Sequence, residues 1–325
     1  MTDNARDIPV IRADHLKKYF PMDKGPLRRS RRVLRAVDDV SFSIAKGEIM
    51  GVVGESGCGK STLGRVLLNL TPATAGKLFF QGDDITGLNR RGMKPYRPRM
   101  QMIFQNPFAS FNPKQRVGRA LMEVGRVHGM SPDTARARIE ALMDMVHLPA
   151  EMLERSPSEL SGGQLQRLAI ARSLILNPDF IVADEPVSAL DVSVQAQILN
   201  LIMELRARLH MTMLFISHEM TVVEHICDRV AVMYLGRIVE TGPTEELFSN
   251  LMHPYAQALI SAIPKADPDE VKARIVLEGD IPSAIDLPAG CRFSSRCPRC
   301  TEECLRSEPE LVDTGRGHFV ACHHI

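Results

Sequence analysis

Apolar residues along this chain fall into two alternating rhythms. Ile49 to Val53, Phe180 to Ala183 and Leu214 to Ser217 are short, nearly continuous apolar runs of the kind that makes buried strands. Segments with apolar residues every three or four positions separate them. Strand and helix alternating in this way predict an α/β fold with a largely parallel sheet, whose functional groups gather at the carboxyl ends of the strands. Segment 105–172 breaks the rhythm with two helical patterns, Val117 to His128 and Ser131 to His147. Ser131 is placed to cap the second, and Pro132 falls at the first helical position, where a missing N–H leaves nothing unpaired. This segment reads as a helical insertion in the α/β core.

Between Ser193 and Leu209 the apolar residues Ile198, Leu199, Ile202, Leu205 and Leu209 recur at helical spacing and form a core-facing stripe. Arg229 to Glu240 reads as a β-hairpin about Gly236. Past Phe248 the pattern changes: Pro254, Pro264, Pro268, Pro282 and Pro288 interrupt it, and a cysteine-rich stretch follows. A boundary is therefore expected near residue 250, with a core over 1–250 and a small extension over 251–325.

Bulk composition changes this picture little. The chain has 325 residues, and 40 Lys and Arg against 39 Asp and Glu leave a net charge of +1, so no global charge attracts nucleic acid. The local exception is residues 24–35, with Lys24, Arg28, Arg29, Arg31, Arg32 and Arg35. That stretch reads as a solvated loop, with a contact on anionic lipid headgroups as the other reading. No apolar run reaches the roughly 18 residues that a bilayer-spanning helix needs, so any membrane role is peripheral. Met1 to Arg12 lacks the apolar stretch of a secretory signal. Seven cysteines, most of them near the C-terminal end, suit a reducing compartment where thiols serve as ligands more readily than as disulfides.

The chemistry begins where the first predicted strand ends. Gly54-Glu55-Ser56-Gly57-Cys58-Gly59-Lys60-Ser61, followed by Thr62 and a helical pattern, is a phosphate-binding loop in the strand-loop-helix context it requires. Its glycines let backbone amides face phosphate oxygens while the helix N-terminus adds partial positive charge. Lys60 is expected on the β and γ phosphates of ATP, and the Ser61 hydroxyl on Mg²⁺. The strand ending in Asp184-Glu185 delivers two carboxylates, Asp184 for magnesium and Glu185 as general base toward the attacking water.

Leu160-Ser161-Gly162-Gly163-Gln164 is the signature string of ABC transporter ATPases, and on it the chain resembles that family. Ser161 is placed to cap the following helix, and Gly162 and Gly163 leave amides open to a phosphate. The resemblance implies a phosphate-loop ABC ATPase core with an antiparallel β subdomain, in which this helix end meets the γ-phosphate held by an opposing subunit. It also implies roles for Gln105 as a magnesium- and water-contacting glutamine, for Ser188 to Asp191 across the dimer interface, and for His218 as the γ-phosphate sensor. Adenine needs an aromatic face. Phe20 is expected to supply it, with Tyr19 as the alternative.

His253-Pro254-Tyr255-Ala256-Gln257-Ala258-Leu259 resembles the segment that follows the ATPase domain in oligopeptide and dipeptide importers, and the cysteine-rich tail extends that resemblance. It implies a second, distinct ATPase subunit, two transmembrane permeases, an extracytoplasmic solute-binding protein and a place on the cytoplasmic face of the cell membrane. Peptides are the expected cargo, with nickel complexes, glutathione or opines as alternatives. An ABC ATPase acting on nucleic acid is the rival class. The resemblance also implies a [4Fe–4S] cluster on Cys291, Cys297, Cys304 and Cys322. Structural zinc is the competing reading, since Cys297 and Cys300 together with His323 or His324 offer a zinc-like set; for iron–sulfur, Cys300 is a bystander.

Overall fold

The computed structural model describes residues 8–22, 32–262, 275–277, 279 and 282–325. Lys24, Arg28, Arg29 and Arg31 of the basic stretch, and Pro264 and Pro268, lie outside them. In chain order, β1 (Ile11–Pro21), β2 (Val33–Ile44) and β3 (Ile49–Val53) precede helix α1 (Lys60–Leu67). Next come β4 (Ala75–Phe80), β5 (Asp83–Asp84) and β6 (Met100–Ile103), then the helices α2 (Val117–Val127), α3 (Pro132–Met145) and α4 (Gly162–Leu174). β7 (Phe180–Asp184), α5 (Val192–Leu209), β8 (Met213–Ile216), α6 (Met220–Ile226), β9 (Arg229–Tyr234) and β10 (Arg237–Pro243) follow. The remainder holds α7 (Thr244–Ser249), α8 (Pro254–Ser261), α9 (Glu302–Arg306), β11 (Val312–Asp313) and β12 (Phe319–Val320).

These elements form two compact units that do not follow chain order. One takes in residues up to Val10, then Ile44–Ile49 and Leu88–Ile216; the other takes in Ile11–Ser43, Met50–Gly87 and Ser217–Ile325. Residue 250 falls inside the second.

The first unit carries β6, β7 and β8 as a parallel ladder, with Ile103 opposite Ala183 and Asp184 opposite Ile216. Every residue of β7 and β8 is buried, which is why these strands read as continuous apolar runs. The helical insertion folds as its pattern predicts. Ser131 caps α3 by accepting from the Thr134 amide at 3.1 Å, and Ile139, Leu142 and Met143 face inward. Arg138 of α3 and Arg167 of α4 tie these two helices together by donating to the Leu174 and Val146 carbonyls at 3.1 and 3.0 Å. In α5, Ile198, Leu199, Leu201, Ile202 and Leu205 are buried; Leu201 joins the expected stripe, whereas Leu209, the last residue of the helix, is only half-buried.

The second unit holds an antiparallel sheet in the order β2-β1-β4-β5 and a second ladder, β3-β9-β10-β12-β11, in which only β3 and β9 run parallel. The hairpin about Gly236 forms as predicted. Leu235 and Gly236 both have positive φ, 42° and 84°, the conformation a tight two-residue hairpin turn demands. Strand β12 adds the end of the chain to β10, with Val320 opposite Glu240. Beneath this pairing lies a buried polar contact: His318 Nε2 meets Glu240 Oε1 at 2.8 Å, and Glu240 also accepts from the amides of Met252 and His253. The aromatic rings of Tyr234, Tyr255 and Phe293 pack together with centroids 4.6 to 5.5 Å apart. Each such contact contributes about 0.5–1.5 kcal/mol beyond burial, so the extension is fastened by packing as well as by backbone pairing.

Candidate active site

In the second unit, β3 runs into the phosphate loop and α1. Gly59 takes φ 111° immediately before the helix, and a Cβ there would stand 1.9 Å from the Ala36 carbonyl oxygen, so only glycine fits. Lys60 is 4% exposed, and its ammonium group donates to the Gly54 and Glu55 carbonyls at 2.7 and 3.2 Å. Ser56 and Gly57 lie exposed at the crown of the loop, while Ser61 and Thr62 follow in the first turn of the helix. Cys58 is buried, and burial pushes its thiol pKa up; its carbonyl accepts from the Gly236 amide at 2.9 Å, so the β9–β10 turn pins the loop. His218 stands exposed beside the end of β3, because the preceding Ser217 amide donates to Val52 at 3.1 Å.

Glu55 is held differently. Its amide donates to the Tyr255 hydroxyl at 2.8 Å, and its carboxylate receives both Nη groups of Arg296 at 2.7 and 3.1 Å. Nearby, the Tyr19 hydroxyl donates to Asp38, and burial together with that carboxylate pushes its pKa up to about 12. Arg292, 5% exposed, donates to the other Asp38 oxygen, to Glu308 and to the Leu235 carbonyl. Phe20 carries the Lys18 ammonium 4.8 Å above its ring. Tyr19 is committed to Asp38, and Phe20 occupies the alternate strand position.

In the first unit, β7 ends on Asp184, 4% exposed, and the chain then turns sharply. Glu185 sits at φ 48°, a left-handed conformation that costs a non-glycine residue about 1 kcal/mol or more. Its amide donates to Ile216, and its carboxylate receives the Gln105 side-chain amide at 2.8 Å; Gln105 also approaches Ser188 Oγ at 3.4 Å. Ser161 and Gln164 form a reciprocal cap on α4, with distances of 3.3 and 2.9 Å. A Cβ on Gly163 would lie 2.5 Å from Val194 Cγ1, so close packing requires glycine here. Asp191 is exposed at the N-cap position of α5. Gln105, Asp184, Glu185 and Ser188 thus gather at one strand end.

The thiols of the extension share a neighbourhood. Burial pushes Cys291 up to about 11, with Cys304, Cys297 and Cys322 adding to the rise; burial also raises Cys297, with Cys322, Cys304 and Cys300 adding, and Cys322, with Cys304 and Glu240 adding. Cys304 Sγ lies 3.6 Å from His324 Nε2, whereas His323 turns to the Ser307 carbonyl at 3.0 Å. Among the described residues, no three or more His, Cys, Asp or Glu side chains stand in a metal-ligating array, so the thiols are neighbours and not a preformed cage. All seven cysteines are free.

Asp38, Arg292, Arg296, Tyr255 and Glu240 carry contacts that the pattern along the chain does not announce. Their partners lie up to 254 positions away, and no periodicity or motif spans that distance.

Comparison with known proteins shows the family and the fold. The ABC transporter family matches residues 37–188, and the oligopeptide/dipeptide transporter C-terminal region matches residues 239–304. A nucleotide-free ATP-binding cassette from an ABC transporter superposes with a TM-score of 0.64 at 27% identity, over 79% of this chain and all of that one. A dimeric cassette bound to ADP and phosphate gives 0.64 at 25% identity, over 72% of this chain and 98% of the other. Fold and motifs together define an ABC-type ATPase. The dipeptide transport ATP-binding protein DppF of Escherichia coli is 47% identical over 97% of this chain and 94% of its own length. Its Haemophilus influenzae counterpart is 46% identical over the whole of both chains. The chain belongs to the ABC transporter ATP-binding proteins of the oligopeptide/dipeptide importer type, and it is an importer ATPase.

Proposed function

We propose that this chain hydrolyses ATP to drive uptake of di- or oligopeptides, and that the hydrogen bond from Gln105 to Glu185 marks its hydrolytic centre. In this reading Gly54 to Thr62 hold the phosphates, with Lys60 on the β and γ groups and Phe20 stacked on adenine. Ser61, Asp184 and Gln105 would hold Mg²⁺, which neutralises developing charge on the γ-phosphate. Glu185 accepts the proton of the attacking water, and Gln105 orients that carboxylate. His218 senses the γ-phosphate, while Ser161, Gly162, Gly163, Gln164 and Asp191 serve the nucleotide of an opposing subunit.

That subunit is proposed to be a related but distinct ATPase, the pair acting on two membrane permeases supplied by a solute-binding protein. Full-length similarity to relatives named for dipeptide transport supports this arrangement. Among the described residues, no helix is long and apolar enough to cross a membrane, which suits peripheral attachment at the cytoplasmic face. Reconstitution with the neighbouring permeases and binding protein tests it: ATP turnover is expected to rise when a dipeptide saturates the binding protein. No response to any peptide of a broad panel would overturn the cargo assignment.

For the extension, we propose that Cys291, Cys297, Cys304 and Cys322 hold a [4Fe–4S] cluster, with zinc on Cys297 and Cys300 together with His323 or His324 as the alternative. Four buried or half-buried thiols in one neighbourhood, three of them (Cys291, Cys297 and Cys322) raised by burial and by nearby thiols, are a donor set a cationic metal centre would relieve. Such a cluster would supply structural cross-linking. Iron and labile sulfide in anaerobically purified protein are expected, and zinc alone would reject iron–sulfur.

A further inference from the structure

The carboxylate of Glu55 is out of place on electrostatic grounds. It is the second residue of a loop built to receive triphosphate, where fixed negative charge opposes the ligand. The C-terminal extension answers it with Arg296, 7% exposed, whose two Nη groups grip the two carboxylate oxygens while the Tyr255 hydroxyl takes the Glu55 amide. A planar guanidinium against a carboxylate in this two-pronged geometry fixes direction as well as charge. The same pair commits the Glu55 side chain to the extension, while Ser56 and Gly57 at the crown of the loop are exposed.

We propose that Arg296 is a positioning residue of the nucleotide site: it neutralises and restrains Glu55, so that a cysteine-flanked segment far along the chain sets the affinity of the phosphate loop for ATP. The inference rests on the reading of Gly54 to Thr62 as the ATP site. It makes the extension a working part of that site. Because Arg296 lies between Cys291 and Cys297, folding of the thiol-rich segment is what delivers it.

Equilibrium binding of ATP to the full-length protein, together with steady-state turnover, tests the proposal. R296Q is expected to raise Kd and KM about tenfold, the effect of exposing one uncompensated charge near the phosphates, with kcat within about twofold of wild type. R296K, which keeps the charge but loses the two-pronged grip, should fall between wild type and R296Q. The informative variant is E55Q/R296Q, which lacks the bridge but also lacks the stray charge. Recovery of ATP affinity to within about threefold of wild type is expected, by the additivity logic of paired substitutions. If Arg296 only fastened the extension, the double variant would bind as weakly as R296Q, and that result overturns the proposal, as does unchanged affinity in R296Q. Should R296Q not fold, E55Q alone decides: it should bind ATP more tightly than wild type, and no tightening overturns the proposal. Failure of wild type itself to bind ATP would instead strike at the assignment of the site.

Discussion

The side-chain amide of Gln105 donates to the Glu185 carboxylate at 2.8 Å, joining two residues 80 positions apart at the end of strand β7. A carboxylate held by a fixed neutral amide is oriented without being neutralised, which is what a base toward water needs. The left-handed backbone at Glu185 adds strain that the surrounding turn sustains, with Ser188 donating to the Glu185 carbonyl from both its amide and its hydroxyl. Glu185→Gln keeps the shape and removes the proposed base. It should retain ATP binding while turnover falls by about two to four orders of magnitude, as single-turnover kinetics would register. Unchanged turnover would remove Glu185 from the role.

Gly163 offers a test of packing within the signature segment. Its missing Cβ leaves room for Val194 Cγ1, which would otherwise stand 2.5 Å away, and valine has no alternative rotamer to retreat into cheaply. Gly163→Ala is expected to cost about 1–3 kcal/mol of stability, the range for overpacking. Adding Val194→Ala should return most of that loss in urea unfolding. If stability returns but ATPase activity does not, the amide environment of Gly163 is required in addition to its small size.

Buried and exposed ion pairs in the extension should behave differently. Arg292 and Asp38 are each 5% exposed at the side chain, and the Tyr19 hydroxyl completes the set. Arg292→Ala leaves a buried carboxylate partly uncompensated and should cost about 3–5 kcal/mol. The Arg306–Glu302 pair, at 77% and 82% exposure, has the same chemistry in solvent, and Arg306→Ala should cost no more than about 0.5 kcal/mol. Equal losses in the two variants would refute the distinction.

Elements whose signal is local were legible in the residues. Ser131 and Ser161 announce their helices because a cap is read from adjacent positions, and the Leu235-Gly236 turn is read from one glycine between β-branched runs. The signature and phosphate-loop segments were legible for a related reason: their glycines serve amides only a few residues apart. Contacts made through side chains at long range were not. Arg292 on Asp38, Arg296 on Glu55 and His318 on Glu240 join residues 254, 241 and 78 positions apart, and nothing in the local pattern of either partner records the other. Strand β12 has two residues, too few to show a period. The extension therefore reads as an appendage in sequence, whereas in the fold it shares a compact unit with the phosphate loop.

His253 gives the extension a pH dependence with a definite sign. The imidazole is 1% exposed; its Nδ1 accepts from the Tyr255 amide at 3.1 Å and caps α8, its own amide donates to Glu240, and its ring lies 5.7 Å from Phe293. Burial pushes its pKa down to about 4. In the unfolded chain it titrates near 6.5, within roughly the ordinary histidine range. The unfolded state therefore binds the proton first as pH falls. The contribution of His253 is fully present above about pH 6.5 and is lost progressively toward about pH 4, at about 1.4 kcal/mol per pH unit. His253→Asn retains an acceptor for the cap without a titrating group. Urea unfolding at pH 7.5 and pH 5 should show wild type losing about 2 kcal/mol more than the variant over that interval. Parallel losses in the two proteins would mean that the imidazole is not held neutral in the fold.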